Sequence, residues 1–464
     1  MKRCIQGGTV VTEQGAQALD LVIESGLITG LHARGTFAPR DHEVIDARGL
    51  IVMPGAIDVH THFTGPHDFP EQELREGTLG AALGGITTII EMPHSDPPAT
   101  SPAAFRRKRE LLQATSTLDF GLWAGLTNDN ADSLAELDAL GASAFKAFLT
   151  SGNPSGEAPD HRGLPQMKDS ALLTAMRRIR EVDGVIGVHA ENHDILLQAR
   201  LAEQAAGRHD ARAHAASAPE IAEVEAVSRL LLYAAETGVR CHVVHVSSPR
   251  AAELIRRAKA SGVAATFESC PHYLILDEED LVRIGPDARC GPPLRPRPTV
   301  DALWQHALDG GIDMLSSDHC PYLPEQKRVG DDSIWEAGMG LTGVETLGPM
   351  FFSEAVVARG LSLEAFARMT ATAPAKLMGL YPRKGAIRIG ADADLAIYDP
   401  SAEWTVRGER FHGLAPWSAF EGMTCRGRVV RTLLRGGDVQ VDGERRLAPG
   451  HGRFVTRRYA EEEA

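Results

Sequence analysis

The chain has 464 residues, 43% hydrophobic and 24% charged, the balance of an ordinary soluble globular protein. With 48 Lys+Arg against 62 Asp+Glu the formal net charge is −14, which argues against a general binder of nucleic acid or of an anionic membrane. No apolar run reaches the roughly 18–20 residues of a membrane span, no apolar stretch follows Met1-Lys2-Arg3, and the six scattered cysteines form no CxxC pair, so a cytoplasmic protein with free thiols is expected.

Residues 1–52 read as short strands joined by glycine turns: Thr9-Val10-Val11 follows Gly7-Gly8, and Leu21-Val22-Ile23 leads into Glu24-Ser25-Gly26. The pattern changes near Ile51-Val52-Met53-Pro54-Gly55. From there to about residue 380, apolar runs at 86–90, 144–149, 185–189, 241–246, 264–268 and 312–315 alternate with helical stretches such as 221–236 and 251–260. Repeated alternation of this kind predicts a parallel sheet with helical crossovers, and the length of the region suits a barrel. The last 80 or so residues return to strands, with a turn at 390–394 feeding one and hairpin material at 428–434 and 439–441. The expected architecture is therefore α/β: a barrel over 53–383 and a small β domain built from 1–52 and 384–464. The closing Glu461-Glu462-Glu463 is expected to fray.

The first chemical signal is Asp58-Val59-His60-Thr61-His62, at the end of an apolar run. In a strand, residues i and i+2 share a face, so His60 and His62 can converge on one metal ion. The carboxyl ends of barrel strands are also where catalytic groups gather. His189 closes the run at 185–189, His245 follows the run that begins at Cys241, and Asp318 follows Met314-Leu315-Ser316-Ser317. Taken singly, each has an ordinary reading, a buried histidine satisfied by one hydrogen bond or an aspartate capping a turn. Their recurrence at successive strand ends points to ligands instead.

Lys146 stands inside Ala144-Phe145-Lys146-Ala147-Phe148-Leu149, where a charged amine is costly. A neutral amine there can add carbon dioxide, and the resulting carbamate carries two oxygens that can bridge two cations. Imidazole and oxygen ligands together suit Zn²⁺, with Mn²⁺, Fe²⁺ or Co²⁺ as substitutes. Two such ions about 3.5–4 Å apart acidify water and polarise a carbonyl, which predicts hydrolysis.

With these residues in place, the chain resembles the amidohydrolase superfamily, and within it the cyclic amidohydrolases: allantoinases, hydantoinases, dihydropyrimidinases and dihydroorotases. The resemblance runs through Val52-Met53-Pro54-Gly55-Ala56-Ile57-Asp58-Val59-His60-Thr61-His62, Gly84-Gly85-Ile86-Thr87-Thr88-Ile89-Ile90-Glu91-Met92-Pro93, Phe145-Lys146 and Val188-His189-Ala190-Glu191-Asn192. It continues in His242-Val243-Val244-His245-Val246-Ser247-Ser248-Pro249, Glu268-Ser269-Cys270-Pro271-His272-Tyr273-Leu274 and Ser316-Ser317-Asp318-His319. It implies a (β/α)8 barrel with a β-sandwich formed by both termini, in a homotetramer. It also implies that His60, His62 and Asp318 bind one metal, that His189 and His245 bind the other, and that carbamylated Lys146 and a hydroxide bridge the two. Asp318 would take the proton of the attacking water and return it to the leaving ring nitrogen.

The same comparison narrows the substrate. Phe63-Thr64 after the His pair and His94 after Met92-Pro93 lack the charge partners of a dihydroorotase for a substrate carboxylate. Ser151 stands where dihydropyrimidinases and D-hydantoinases carry a tyrosine oxyanion donor. Arg289-Cys290-Gly291-Pro292 resembles the substrate-backbone loop, Met339-Gly340 belongs to the next such loop, and His272 matches allantoinases. Ser151, Cys290, Gly291, His272, Met339 and Gly340 are therefore the expected substrate-binding positions. The implied reaction is ring opening of allantoin to allantoate, with 5-substituted hydantoins or dihydropyrimidines as the alternative substrates. A dihydroorotase or a non-catalytic relative fits less well.

Overall fold

A computed structural model describes residues 2–459, so Glu461-Glu462-Glu463 lies outside the described residues. The two chain ends meet in one ten-stranded sheet. Ile51–Pro54 joins them: it runs antiparallel to Leu395–Thr405, with Leu395 opposite Pro54 and Ile397 opposite Val52, and parallel to Thr9–Thr12. Ile5, Val10, Leu21 and Ile28 from the beginning of the chain pack with Leu395, Ile397 and Leu433 from the end in one apolar cluster. Alternating patterns at both ends are thus satisfied by each other.

Between them lies an eight-stranded parallel sheet. Its strands are β1 (Ala56–Thr61), β2 (Ile86–Glu91), β3 (Asp119–Gly125), β4 (Ala144–Phe148), β5 (Val185–His189), β6 (Arg240–Val243), β7 (Ala265–Ser269) and β8 (Met314–Leu315). They pair in sequence order, and a parallel bridge between Thr61 and His319 joins the last to the first. His62 N donates to His319 O over 2.7 Å at that seam. The result is a (β/α)8 barrel whose strands, covered on both faces, read as continuous apolar runs rather than alternating ones.

β3 escapes a reading by apolar runs, because glycines dilute Asp119-Phe120-Gly121-Leu122-Trp123-Ala124-Gly125. The structure explains their presence: a Cβ on Gly121 would stand 2.4 Å from Ser143 Oγ. Trp123 is fully buried, and its indole N–H donates to Val59 O over 2.9 Å. Gly187 on β5 makes room for that ring, since a Cβ there would meet it at 2.4 Å. β8 spans only two residues, and Ser316, Ser317 and Asp318 continue beyond it as loop.

The C-terminal segment returns to the barrel. Phe120 N donates to Arg453 O and Val455 N to Phe120 O. Lys384, fully buried, donates to Asp119 Oδ2 over 2.7 Å and to Asp394 Oδ2 over 2.6 Å, which ties the start of β3 to the terminal sheet. All six cysteines are free thiols. Among the described residues, no helix is long and apolar enough to cross a membrane.

Candidate metal centre and substrate cavity

Each of the six expected ligands emerges at the carboxyl end of a barrel strand. His60 lies in β1 with His62 one residue past its end; Lys146 lies in β4, and His189 ends β5. His245 follows β6 by two residues and Asp318 follows β8 by three. One cavity of about 510 Å³ is lined by all six. His60 Nε2 lies 3.2 Å and His62 Nε2 3.4 Å from Asp318 Oδ1, so these three offer ligand atoms to a common point. The His189 and His245 rings are 4.6 Å apart, and His245 is 5.3 Å from His60.

The backbone is strained where two of the six arise. His245 has φ of 40° and Asp318 of 49°, both in the left-handed region that favours glycine. Such a conformation costs about 1–3 kcal/mol and persists only where surrounding structure imposes it, as at functional sites.

A layer of carboxylates absent from the expected site orients these ligands. Glu268, fully buried at the end of β7, faces His60 Nδ1 at 2.5 Å and His242 Nε2 at 3.1 Å. A proton on Nδ1 leaves His60 Nε2 as the free donor atom on the cavity side. His189 Nε2 is held by Glu191 at 2.7 Å, which leaves its Nδ1 in the same way. Asp58 Oδ1 accepts the main-chain N–H of His60 and of Ser317, at 3.2 and 3.1 Å, and so links β1 to the loop bearing Asp318. Glu91 accepts from Thr61 Oγ1 at 2.7 Å and from the main-chain N–H of Phe63 and Thr64, shaping the turn after the His pair. All four carboxylates stand in or beside the strand-end motifs. A carboxylate ending an apolar strand was the available signal.

Lys146 is an electrostatic anomaly in this cavity. It is fully buried and its Nζ has no hydrogen-bond partner. Burial pushes its amine down to about 8, against the pull of Glu268 and Asp318. Burial also holds His62 and His245 well below the ordinary imidazole value, reinforced for His62 by His60 and for His245 by His189. Burial lifts the Asp58 carboxyl to about 7. Cation binding requires deprotonated ligands, and Lys146, His62 and His245 are already biased that way. Four imidazoles, one carboxylate near two of them and a buried amine without a hydrogen-bond partner fit a divalent centre.

Residues 51–439 match the Amidohydrolase family. The chain belongs to that family. It is 39% identical over 453 residues to a Rubrobacter xylanophilus protein named allantoinase, covering 97% of this chain and 96% of that protein. A Solibacter usitatus allantoinase is 38% identical over 94% of this chain and 93% of its own. Among solved structures, the L-hydantoinase (dihydropyrimidinase) of Arthrobacter aurescens superposes with a TM-score of 0.93 at 35% identity, over 98% of this chain and all of that one. The dihydropyrimidinase of Brevibacillus agri gives 0.90 at 31%, with 98% of each chain covered.

In this amidohydrolase the six expected substrate positions divide. Ser151, Gly291, Met339 and Gly340 line the cavity that holds the candidate ligands. Cys290 is buried behind it, with its Sγ 3.2 Å from Pro292 O, and His272 is buried beside Tyr273 outside the lining. The Ser151 hydroxyl donates to Glu157 O, which commits its proton to the loop. Around Gly291 the neighbouring carbonyls are already taken: Arg289 O by Gly340 N at 3.0 Å, Cys290 O by His214 Nε2 at 2.9 Å, and Pro292 O by Tyr273 Oη at 2.7 Å. The Gly340–Arg289 bond joins these two loops. Lys327, fully buried, adds donations of 2.8 Å to both Gly338 O and Gly340 O.

Proposed function

We propose that this chain hydrolyses the ring amide of a five-membered cyclic ureide, with allantoin as the first substrate, at a centre of two divalent cations. What carries the reading is the convergence of His60, His62, Lys146, His189, His245 and Asp318 on one cavity, with Lys146 buried and without a hydrogen-bond partner. His60, His62 and Asp318 would hold one cation, and His189 and His245 the other. Lys146 as a carbamate would lie between them. When bound, the cations supply acidified water and a polarised ring carbonyl.

The residues of the chain do the rest. Asp318, within 3.4 Å of both His60 and His62 and facing the cavity, accepts the proton of the water that attacks the ring carbonyl. It then returns that proton to the ring nitrogen as the carbon–nitrogen bond breaks, leaving an open-chain ureide with a new carboxylate. Glu268 and Glu191 keep His60 and His189 in one tautomer and orientation throughout. Neutral Lys146, favoured by its lowered pKa, is the form that takes up carbon dioxide.

The names of the relatives support allantoin, while those of the structural neighbours favour hydantoins, the second reading. The test is turnover by the zinc-loaded protein on allantoin, 5-substituted hydantoins, dihydrouracil and dihydroorotate side by side, with Asp318→Asn as control. Ring opening of the five-membered ureides by the wild type, lost in Asp318→Asn while the fold persists, is expected. Preference for dihydroorotate, or an active Asp318→Asn, overturns the assignment.

A further inference from the structure

The helix His193–Ala205 starts just beyond β5 and forms one wall of the cavity. His193, Leu196, Leu197, Arg200, Leu201 and Gln204 all line it, a spacing of three and four residues that turns one helical stripe inward. The stripe is apolar except at its ends and at Arg200. That guanidinium lies 5.6 Å from the centre of the Trp335 ring, itself part of the lining. Among the described residues neither a hydrogen bond nor an ion pair reaches Arg200.

Arg289 lines the same cavity and is 7% exposed. One of its terminal nitrogens is spent on the carbonyls of Trp335 and Ala337, and its buried Nε has no partner. Burial and the nearby charge of Arg200 press it down to about 10. The third arginine of the lining, Arg162, is by contrast paired with Asp68. A chain with a formal charge of −14 thus leaves two cavity arginines without a carboxylate. A guanidinium held over an indole face is restrained and still has its donors free for an oxygen acceptor. Seven residues separate Arg200 from His193, about 10 Å along the helix axis. That spacing favours a group carried by the ring over the reacting amide itself.

We propose that Arg200, seated on Trp335 and backed by Arg289, is a specificity-determining subsite for an acceptor oxygen on the substrate's ring substituent, either an exocyclic ureido carbonyl or a carboxylate. The inference deepens the ring-opening reading above and rests on it.

The test compares zinc-loaded wild type, Arg200→Met and Arg200→Lys on allantoin, 5-(2-carboxyethyl)hydantoin and 5-propylhydantoin. In Arg200→Met, the ratio of kcat/KM for allantoin over 5-propylhydantoin is expected to fall about tenfold, carried by KM, as for one lost charge-assisted contact. Arg200→Lys restores part of the loss on the carboxylate substrate, where a point charge suffices. Loss on both oxygen-bearing substrates assigns the subsite to acceptor oxygens in general, and loss on the carboxylate alone assigns it to anions. A parallel fall on all three substrates, or kcat/KM ratios to 5-propylhydantoin unchanged for both allantoin and the carboxyethyl substrate, overturns the subsite while leaving the ring-opening reading standing. A wild type that opens none of the three defeats that reading and the subsite with it.

Discussion

Replacing Glu268 by glutamine isolates what a buried carboxylate contributes from behind a metal ligand. Glu268 receives three donors: His60 Nδ1 at 2.5 Å, His242 Nε2 at 3.1 Å and the His245 main-chain N–H at 3.4 Å. Glutamine keeps the volume and one of the two acceptor oxygens. With that oxygen on His60, its NH₂ faces His242. The other nitrogen of His242 lies 2.9 Å from Thr266 Oγ1, a hydroxyl that donates or accepts equally well. His242 therefore switches tautomer without leaving a buried group unpaired, and the barrel survives. What disappears is the negative charge that makes His60 Nε2 a stronger donor. Losses of this kind lower metal affinity or activity about 10–100-fold, or ~1.4–2.7 kcal/mol. The assay is zinc affinity by chelator competition, with thermal unfolding of the metal-free protein as the control for fold. Zinc affinity and kcat both within twofold of wild type, in a protein that unfolds normally, would refute the reasoning.

Lys146→Met should hold at most one tightly bound zinc per chain by metal analysis and lose at least about a hundredfold in turnover, with no rescue by bicarbonate; two zinc ions and normal turnover would count against a bridging carbamate. Lys384→Met removes the ammonium that now lies 2.7, 3.1 and 2.6 Å from Asp119, Asp392 and Asp394; Arg435 and Arg383 still pair with Asp119 and Asp392, Asp394 loses its buried cation, and the chain should be destabilised by about 3–5 kcal/mol in urea titrations. Burial already lifts Asp394 to about 6, and without the lysine this carboxyl holds its proton more tightly folded than unfolded, so stability falls as pH rises through its folded value. The deficit should therefore shrink on acidification toward pH 5, and an equal deficit at pH 5 and 8 would argue against it.

What could be read from the chain follows the range of each interaction. His60 and His62 are two residues apart in a strand, so their shared face is a local fact, and the apolar runs before His189, His245 and Asp318 place each at a strand end. Their orienting partners are not local. Glu268 is 208 residues from His60, and no spacing rule connects them until the barrel brings β7 beside the interior of β1. β3 was obscured for a related reason: Gly121 and Gly125 answer to packing against Ser143, Leu164 and Thr100, so a strand chosen for shape loses the apolar signature that identifies strands. Arg200 is the extreme case. On a helix bearing Leu196, Leu197 and Leu201, one arginine looks like part of an ordinary solvated face, and only the cavity beside it gives that face a different meaning. Ligand positions that repeat one strand-end geometry leave a pattern in the chain. The groups that tune them and select the substrate are joined by contacts between distant elements, and the fold has to be assembled before those contacts exist.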